Sequence, residues 1–322
     1  MAVSRRLLVA SVPVLSVAPA LAQAWPNRPI RLVLPFAPGG AIDALARVLA
    51  ERMSAEFGQQ VVVDPRPGAN TVVGAEATAR AAPDGHTFML TTNSTFTNNP
   101  HLIPNLPYDP LRSFDPITLL SWGSVVFLGP GDAPYADVPS FAAWARGRPQ
   151  GTTYGSWGIG SAGHLYGALL GRQSGARLEH VPYRGEQPAI ADMIGGRLDT
   201  TFASPVGARP QIEGGRVKAL GSVGARRSPA LPEVSTFGEQ GLPGFDLPLF
   251  VAAWAPAGTP ADIRQRLREA LARAASDERV RAQMLAQGQT PELSSPEELI
   301  AIVRRDLPRW GELIEISGAR QS

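Results

Sequence analysis

The most restrictive feature of this chain is a grammar written twice: an apolar strand run, a glycine turn, then an amphipathic helix. The first copy reads RPIRLVLPF, APGG, AIDALARVLAERMSAEFG. Leu45, Val48, Leu49 and Met53 fall on one helical face and Gly58 stands as terminator. QQVVVDPRPG and HTFMLTTNS read as further strands of the same sheet, with a helix over GAEATARAAPDG between them. The second copy runs GTTYGS (strand), GHLYGALLGRQSG (helix), LEHVPY (strand), QPAIADMIGG (helix), LDTTFAS and VKALGSV (strands). Strands alternating with helices predict an α/β fold with mainly parallel sheets.

After LPLFVAAWAPAG the pattern is helical to the end, with Thr259 expected as an N-cap and Ser295 to Glu298 as a capping box. Two α/β halves with a helical tail predict two lobes. Residues 25–123 with 249–322 would form the first and 124–248 the second, with a ligand cleft between them.

Residues 1–24 read as an export signal: Arg5 and Arg6, an apolar stretch, then Ala22-Gln23-Ala24 as a small-x-small cleavage site. Without that segment the basic and acidic residues balance, Lys218 is the only lysine, and the arginines are scattered. A nucleic-acid partner therefore lacks its electrostatic footprint. Cysteine is absent, which removes disulfides and thiolate chemistry, and the four histidines show no metal-ligand spacing. No metal and no cofactor is expected.

The chemistry concentrates in two turns, PFAPGGAID (35–43) and GSWGIGSAGHL (155–165), each ending a strand and opening a helix in its own half. Such turns lie beyond the carboxyl ends of strands, where open α/β sheets bind ligands. Helix N-terminal amides have no intrahelical acceptor and carry the positive end of the helix dipole. Glycine removes the side chains that would keep an anion from those amides. Backbone N–H groups of Gly39, Gly40 and Ala41, and of Gly160, Ser161 and Ala162, are candidate donors to one small anion, with the Ser156 and Ser161 hydroxyls beside them. The alternative is that these glycines only permit tight turns. Phe36 and Trp157 either wall the pocket or pack in the core; His164 either orients a ligand or packs; Asp43 caps free amides or touches the ligand.

Gly158 to Gly163 also spells G-x-G-x-x-G, but no acid closes a second strand some 20 residues on, since Glu179 opens LEHVPY instead. Ser156 follows Tyr154 at i−2 and Ser161 follows Ile159, so neither sits in G-x-S-x-G.

Several segments in order, WPNRPIRLVLPFAPGGAIDALAR, PDGHTFML, NPHLIPNLPYDPLRSFDPIT, GSWGIGSAGHL, VPYRGEQPAIADMIGGRLD, LPEVSTFGEQGLPGF and WAPAGTP, make the chain resemble the Bug proteins, periplasmic receptors of tripartite tricarboxylate transporters. The resemblance spans essentially all of residues 25–322. It implies a two-lobed, type II-like periplasmic binding-protein fold closing on a small carboxylated solute, with Phe36, Ala37, Gly39, Gly40 and Ala41 on one side. On the other stand Ser156, Trp157, Gly160, Ser161, Ala162, Gly163 and His164. It implies a monomer in the periplasm whose partners are integral membrane transporter subunits; a sensor component signalling to a membrane kinase is the rival, and an exported α/β enzyme a further one. The chain departs from the family pattern at Ile42, where a hydroxyl residue is usual, and at Asn70-Thr71, where glycines are.

Overall fold

A computed structural model describes residues 25–247 and 249–319; the expected export signal lies outside them. The chain builds β1 (Ile30–Leu34), α1 (Ala41–Phe57), β2 (Val61–Pro65), α2 (Val72–Ala79) and β3 (Thr87–Thr92). A π turn over Ser94–Asn98, the short α3 (Asn99–Leu102) and β4 (Phe114–Gly123) follow. The second lobe holds β5 (Val125–Pro130), α4 (Val138–Arg146), β6 (Thr152–Ser156), α5 (Ala162–Ser174) and β7 (Leu178–Pro182), then α6 (Glu186–Ile194), β8 (Thr200–Ala203), α7 (Pro205–Glu213) and β9 (Val217–Val223). The chain returns through β10 (Leu249–Pro256), α8 (Ala261–Ser276), α9 (Glu278–Ala286), β11 (Thr290–Pro291) and α10 (Pro296–Ser317).

Two sheets result, ordered β11-β4-β10-β3-β1-β2 and β7-β6-β8-β5-β9. They correct the expectation of mainly parallel pairing. β1 pairs parallel with β2 and β3, and β6 with β7 and β8, but β10, β4, β11, β5 and β9 all pair antiparallel. The reason is topological: β5 and β10 enter their sheets from the other lobe rather than through a same-sheet helical crossover, so nothing holds them parallel.

Burial explains the local elements. Leu45, Ala46, Leu49, Ala50 and Met53 of α1 pack with Ile30, Leu32 and Leu34 in the first-lobe core. Gly58 ends α1 in the left-handed conformation, its N–H reaching the Ser54 carbonyl. The second core is aromatic, with Phe127 against Phe202 at 4.7 Å and Phe237 against Phe245 at 4.3 Å between centroids. The Ser295–Glu298 capping box forms as expected. Thr259 does not cap α8: Pro260 holds the N-cap position, and the Thr259 hydroxyl donates to the Pro256 carbonyl instead.

Helix α10 does not stay with the first lobe. Leu299 and Val303 join that lobe's core, whereas Trp310, Leu313 and Ile314 pack into the second lobe's core beside Tyr166. Among the described residues no helix is long and apolar enough to cross a membrane.

Candidate functional site

Both glycine turns stand at strand carboxyl ends. The first leaves β1 beside its parallel neighbours β2 and β3, and the second leaves β6 beside β7 and β8. Ala37 to Ala41 are exposed and Phe36 is half-buried against the first core. Gly39 sits at φ +89°, a conformation that favours glycine.

Asp43 occupies this turn from behind. Its Oδ2 accepts from the Gly39 amide at 2.9 Å and from Arg47 Nε at 2.9 Å. Hydrogen bonding from Arg47 and then from Gly39 holds this buried carboxyl below its ordinary pKa. The Gly39 amide, expected to be open, is therefore taken by the chain's own carboxylate. The amides that open α1, from Ala41 and Ile42, keep their N–H groups without an intrahelical acceptor, and the preceding Gly40 carries no side chain to cap them.

The second turn is more heavily bonded. Gly160 N–H donates to His164 Nδ1 at 3.1 Å, and Ser161 N–H to the Gly158 carbonyl at 3.3 Å, so these two expected donors are also occupied. Ser161 Oγ donates to Ser156 Oγ at 3.0 Å and to the Gly158 carbonyl at 2.7 Å. Ser156 Oγ lies 2.7 Å from His180 Nε2, and the His180 ring stacks on His164 at 3.8 Å. Ala162 and Gly163 begin α5 behind the Ser161 cap, and their amides lack intrahelical acceptors. Gly163 is glycine because a Cβ there would lie 2.8 Å from Phe202 Cβ.

His164 thus serves the turn rather than the solvent side. It is buried, and its Nδ1 must be unprotonated to accept from Gly160. Burial pushes its pKa down to about 4; burial and the facing His164 push that of His180 to about 3. Trp157 is half-buried against the second core. No hydrogen bond joins residues 36–41 to 155–164 among the described residues, but the second turn does meet the first lobe: a Cβ on Gly160 would lie 2.8 Å from Leu102 Cδ1.

Sequence reasoning missed a buried polar network at the end of β3. Asn99 Nδ2 donates to the Asn70 carbonyl, Thr71 Oγ1 and Tyr108 Oη, while Thr95 Oγ1 lies within 2.8 Å of both Thr71 Oγ1 and Thr91 Oγ1. It holds Ala69, Asn70 and Thr71 at φ of 43°, 50° and 77°, three non-glycine residues in the left-handed region. The polar run TTNSTFTNN after an apolar strand was the available signal. In the second lobe, Glu186 accepts from Ser204 N–H and Oγ, closing the start of α7.

Residues 45–319 match the family model described as TctC, tripartite tricarboxylate transporter family receptor. This chain belongs to the TctC family. The family is one of solute-binding receptors working with membrane transporter components. Three solved TctC-like structures align over nearly their whole length. The periplasmic binding protein BugD is 33% identical, with TM-score 0.76 over 92% of this chain and 100% of its own. An R. palustris protein with adipate is 30% identical, with TM-score 0.78 over 92% and 99%. MatC from Rhodopseudomonas palustris with bound malate is 31% identical, with TM-score 0.75 over 90% and 100%. The two-lobed periplasmic binding-protein fold of this TctC receptor follows from both its own sheets and these neighbours.

Proposed function

We propose that this receptor captures a small carboxylate in the periplasm, between its two glycine turns, and presents it to the membrane subunits of a tripartite transporter. The observation that carries this reading is the pair of helix starts with open amides at the carboxyl ends of β1 and β6: Ala41-Ile42 on a helix of 17 residues with no side-chain cap, and Ala162-Gly163 on one of 13 whose Ser161 cap takes only the His164 amide. Each offers backbone N–H donors and a positive dipole end to an anion. Four charge-assisted hydrogen bonds at about 1.5–3 kcal/mol each sum to about 6–12 kcal/mol, so micromolar affinity, about −8 kcal/mol after the cost of ordering the ligand, also needs burial of the ligand's apolar part.

Adipate and malate, found in two of the relatives, are both dicarboxylates, which supports the ligand class. We take Phe36, Ala37, Gly40, Ala41, Trp157, Ala162 and Gly163 as the contact set, with Gly39, Gly160, Ser156, Ser161 and His164 shaping the turns behind them. The lobes close by rotation about the Gly123-Ser124 crossing and the return into β10 at Leu249. Ser156 and His180 do not complete a hydrolytic triad: among the described residues no carboxylate is hydrogen-bonded to His180 or His164, so its orienting acid is missing.

Calorimetric titration of the chain lacking residues 1–24 against dicarboxylates, aromatic acids and acidic amino acids, with neutral sugars as controls, tests the reading. Saturable binding to carboxylates alone is expected; binding confined to the sugars would end it.

A further inference from the structure

The second glycine turn holds more donors than one of its acceptors can take. The Gly158 carbonyl faces the Ser161 amide at 3.3 Å, the Ser161 hydroxyl at 2.7 Å and the Ser156 hydroxyl at 3.0 Å. A carbonyl oxygen has two lone pairs, so one of these donors must turn elsewhere. The amide is fixed by the backbone, which leaves the choice to the two hydroxyls. Ser156 has a second acceptor in reach, Nε2 of His180 at 2.7 Å, and Ser161 Oγ lies 3.0 Å from Ser156 Oγ. Which hydroxyl serves Gly158 is therefore decided by where the His180 ring carries its proton.

With the proton on Nδ1, Nε2 accepts the Ser156 hydroxyl, and the Ser161 hydroxyl must stay on Gly158. With the proton on Nε2, His180 donates to Ser156 Oγ, Ser156 donates to Gly158, and the Ser161 hydroxyl is released. Both forms are open to His180. Burial and the facing His164 hold the ring neutral, its pKa pushed down to about 3. The ring is half-buried and lines a cavity of about 520 Å³ with Arg172, Arg177 and Ser317. Its Nδ1 has no hydrogen-bond partner among the described residues and is not sealed in, so cavity water serves it as donor or acceptor. His164 lacks this freedom, because its Nδ1 accepts from the Gly160 amide and its proton stays on Nε2. Ser156 is fully buried, whereas Ser161 is partly exposed at the start of α5, so Ser161 is the hydroxyl a ligand reaches.

We propose that His180 is a positioning residue for carboxylate capture: in the free turn its Nε2 accepts the Ser156 proton, and on binding it exchanges to the Nε2–H form, so that Ser156 takes over Gly158 and the Ser161 hydroxyl donates to the ligand. The imidazole releases its Nδ1 proton to water and regains one at Nε2, so its charge is unchanged. Each serine keeps its own proton and only rotates. The Ser161 oxygen goes on accepting from the His164 amide, so α5 stays capped throughout. The proposal rests on the carboxylate-receptor reading above, and adds to its backbone donors one hydroxyl whose release is governed from behind the turn.

The test uses the chain without residues 1–24, isotopically labelled at the histidine ring nitrogens and titrated with malate, adipate, benzoate and glutamate, with binding read by calorimetry on the same samples. In the free protein the nitrogen chemical shifts of His180 should show a pyridine-like Nε2 and a pyrrole-like Nδ1. Saturation with the best-bound acid should interchange them, while His164 keeps a pyrrole-like Nε2 throughout. Ser161→Ala should weaken that acid about tenfold and abolish the interchange. Ser156→Ala should weaken it about threefold, and the double variant no more than Ser161→Ala alone, because Ser156 acts only through Ser161. One His180 tautomer in both free and bound protein overturns the proposal, as do losses that add in the double variant. Binding without the interchange defeats the proposal alone; if none of the four acids binds, the receptor reading has failed and the proposal falls with it.

Discussion

Gly167→Ala should destabilise this protein although helix propensity alone favours it. Gly167 lies inside α5, where alanine gains about 1 kcal/mol over glycine. Its Cβ, however, would fall 1.9 Å from Tyr154 Cε2 and 2.4 Å from both Cδ2 and Cζ. Ordinary carbon contacts begin near ~3.5 Å, so the ring must move by about 1.5 Å. Tyr154 is 2% exposed and its hydroxyl donates to the His164 carbonyl at 2.9 Å, so it has nowhere to go without losing that bond. Over-packing at the upper end of its range, about 3 kcal/mol, plus about 1 for the hydrogen bond, less about 1 for propensity, leaves about 3 kcal/mol of net destabilisation. At roughly 2–3 °C per kcal/mol for a chain of this size, the melting temperature should drop by about 6–9 °C in a calorimetric or circular-dichroism melt. Gly171→Ala, one turn along the same helix, meets its nearest atoms at 3.4 Å and should leave the melt unchanged or slightly raised. Equal melts for the two variants would refute the packing argument.

Three further outcomes follow from the same geometry. His164 and His180 have folded pKa values near 4 and 3 against an ordinary 6.5, so the unfolded chain takes up protons first. The stability they carry is intact above pH 6.5 and is lost as pH falls from there towards 3, so the melting temperature should decline across that window, and less steeply in His180→Gln, where only the buried His164 still contributes. Asp43→Asn removes the charge that caps the Gly39 amide and pairs with Arg47; stability should fall by about 1 kcal/mol, read by urea denaturation, while carboxylate affinity rises because a like charge beside the anion has gone. Ala69→Gly relieves a left-handed alanine in an exposed loop and should gain about 0.5–1 kcal/mol by the same assay.

The repeated strand–turn–helix grammar was legible because its periodicities are local: the first helix face and its Gly58 terminator stand where the sequence places them. The mixed sheet was not, since the direction in which β5 and β10 enter depends on crossings between lobes that no local pattern encodes. The turns themselves were readable as helix starts, but not which amides remain open. Asp43 reaches back four residues to Gly39 and His164 reaches back four to Gly160, and either contact needs the folded turn to be seen. His180 is 24 residues from Ser156 in sequence, and adjacent only because β7 pairs in register with β6. The Asn99 network joins residues 29 apart for the same kind of reason.

The central claim is that backbone amides of two opposed helix starts hold the carboxylate. Proline removes an N–H while fitting the first helical position, and Gly40 and Ser161, at ψ of 171° and 157°, are already in the extended conformation that a following proline requires. In the double variant Ala41→Pro, Ala162→Pro the account predicts a melt close to wild type and a calorimetric Kd for the best-bound carboxylate weakened about 100-fold or more, from two lost charge-assisted bonds. A folded double variant that binds the same carboxylate with wild-type affinity would contradict it.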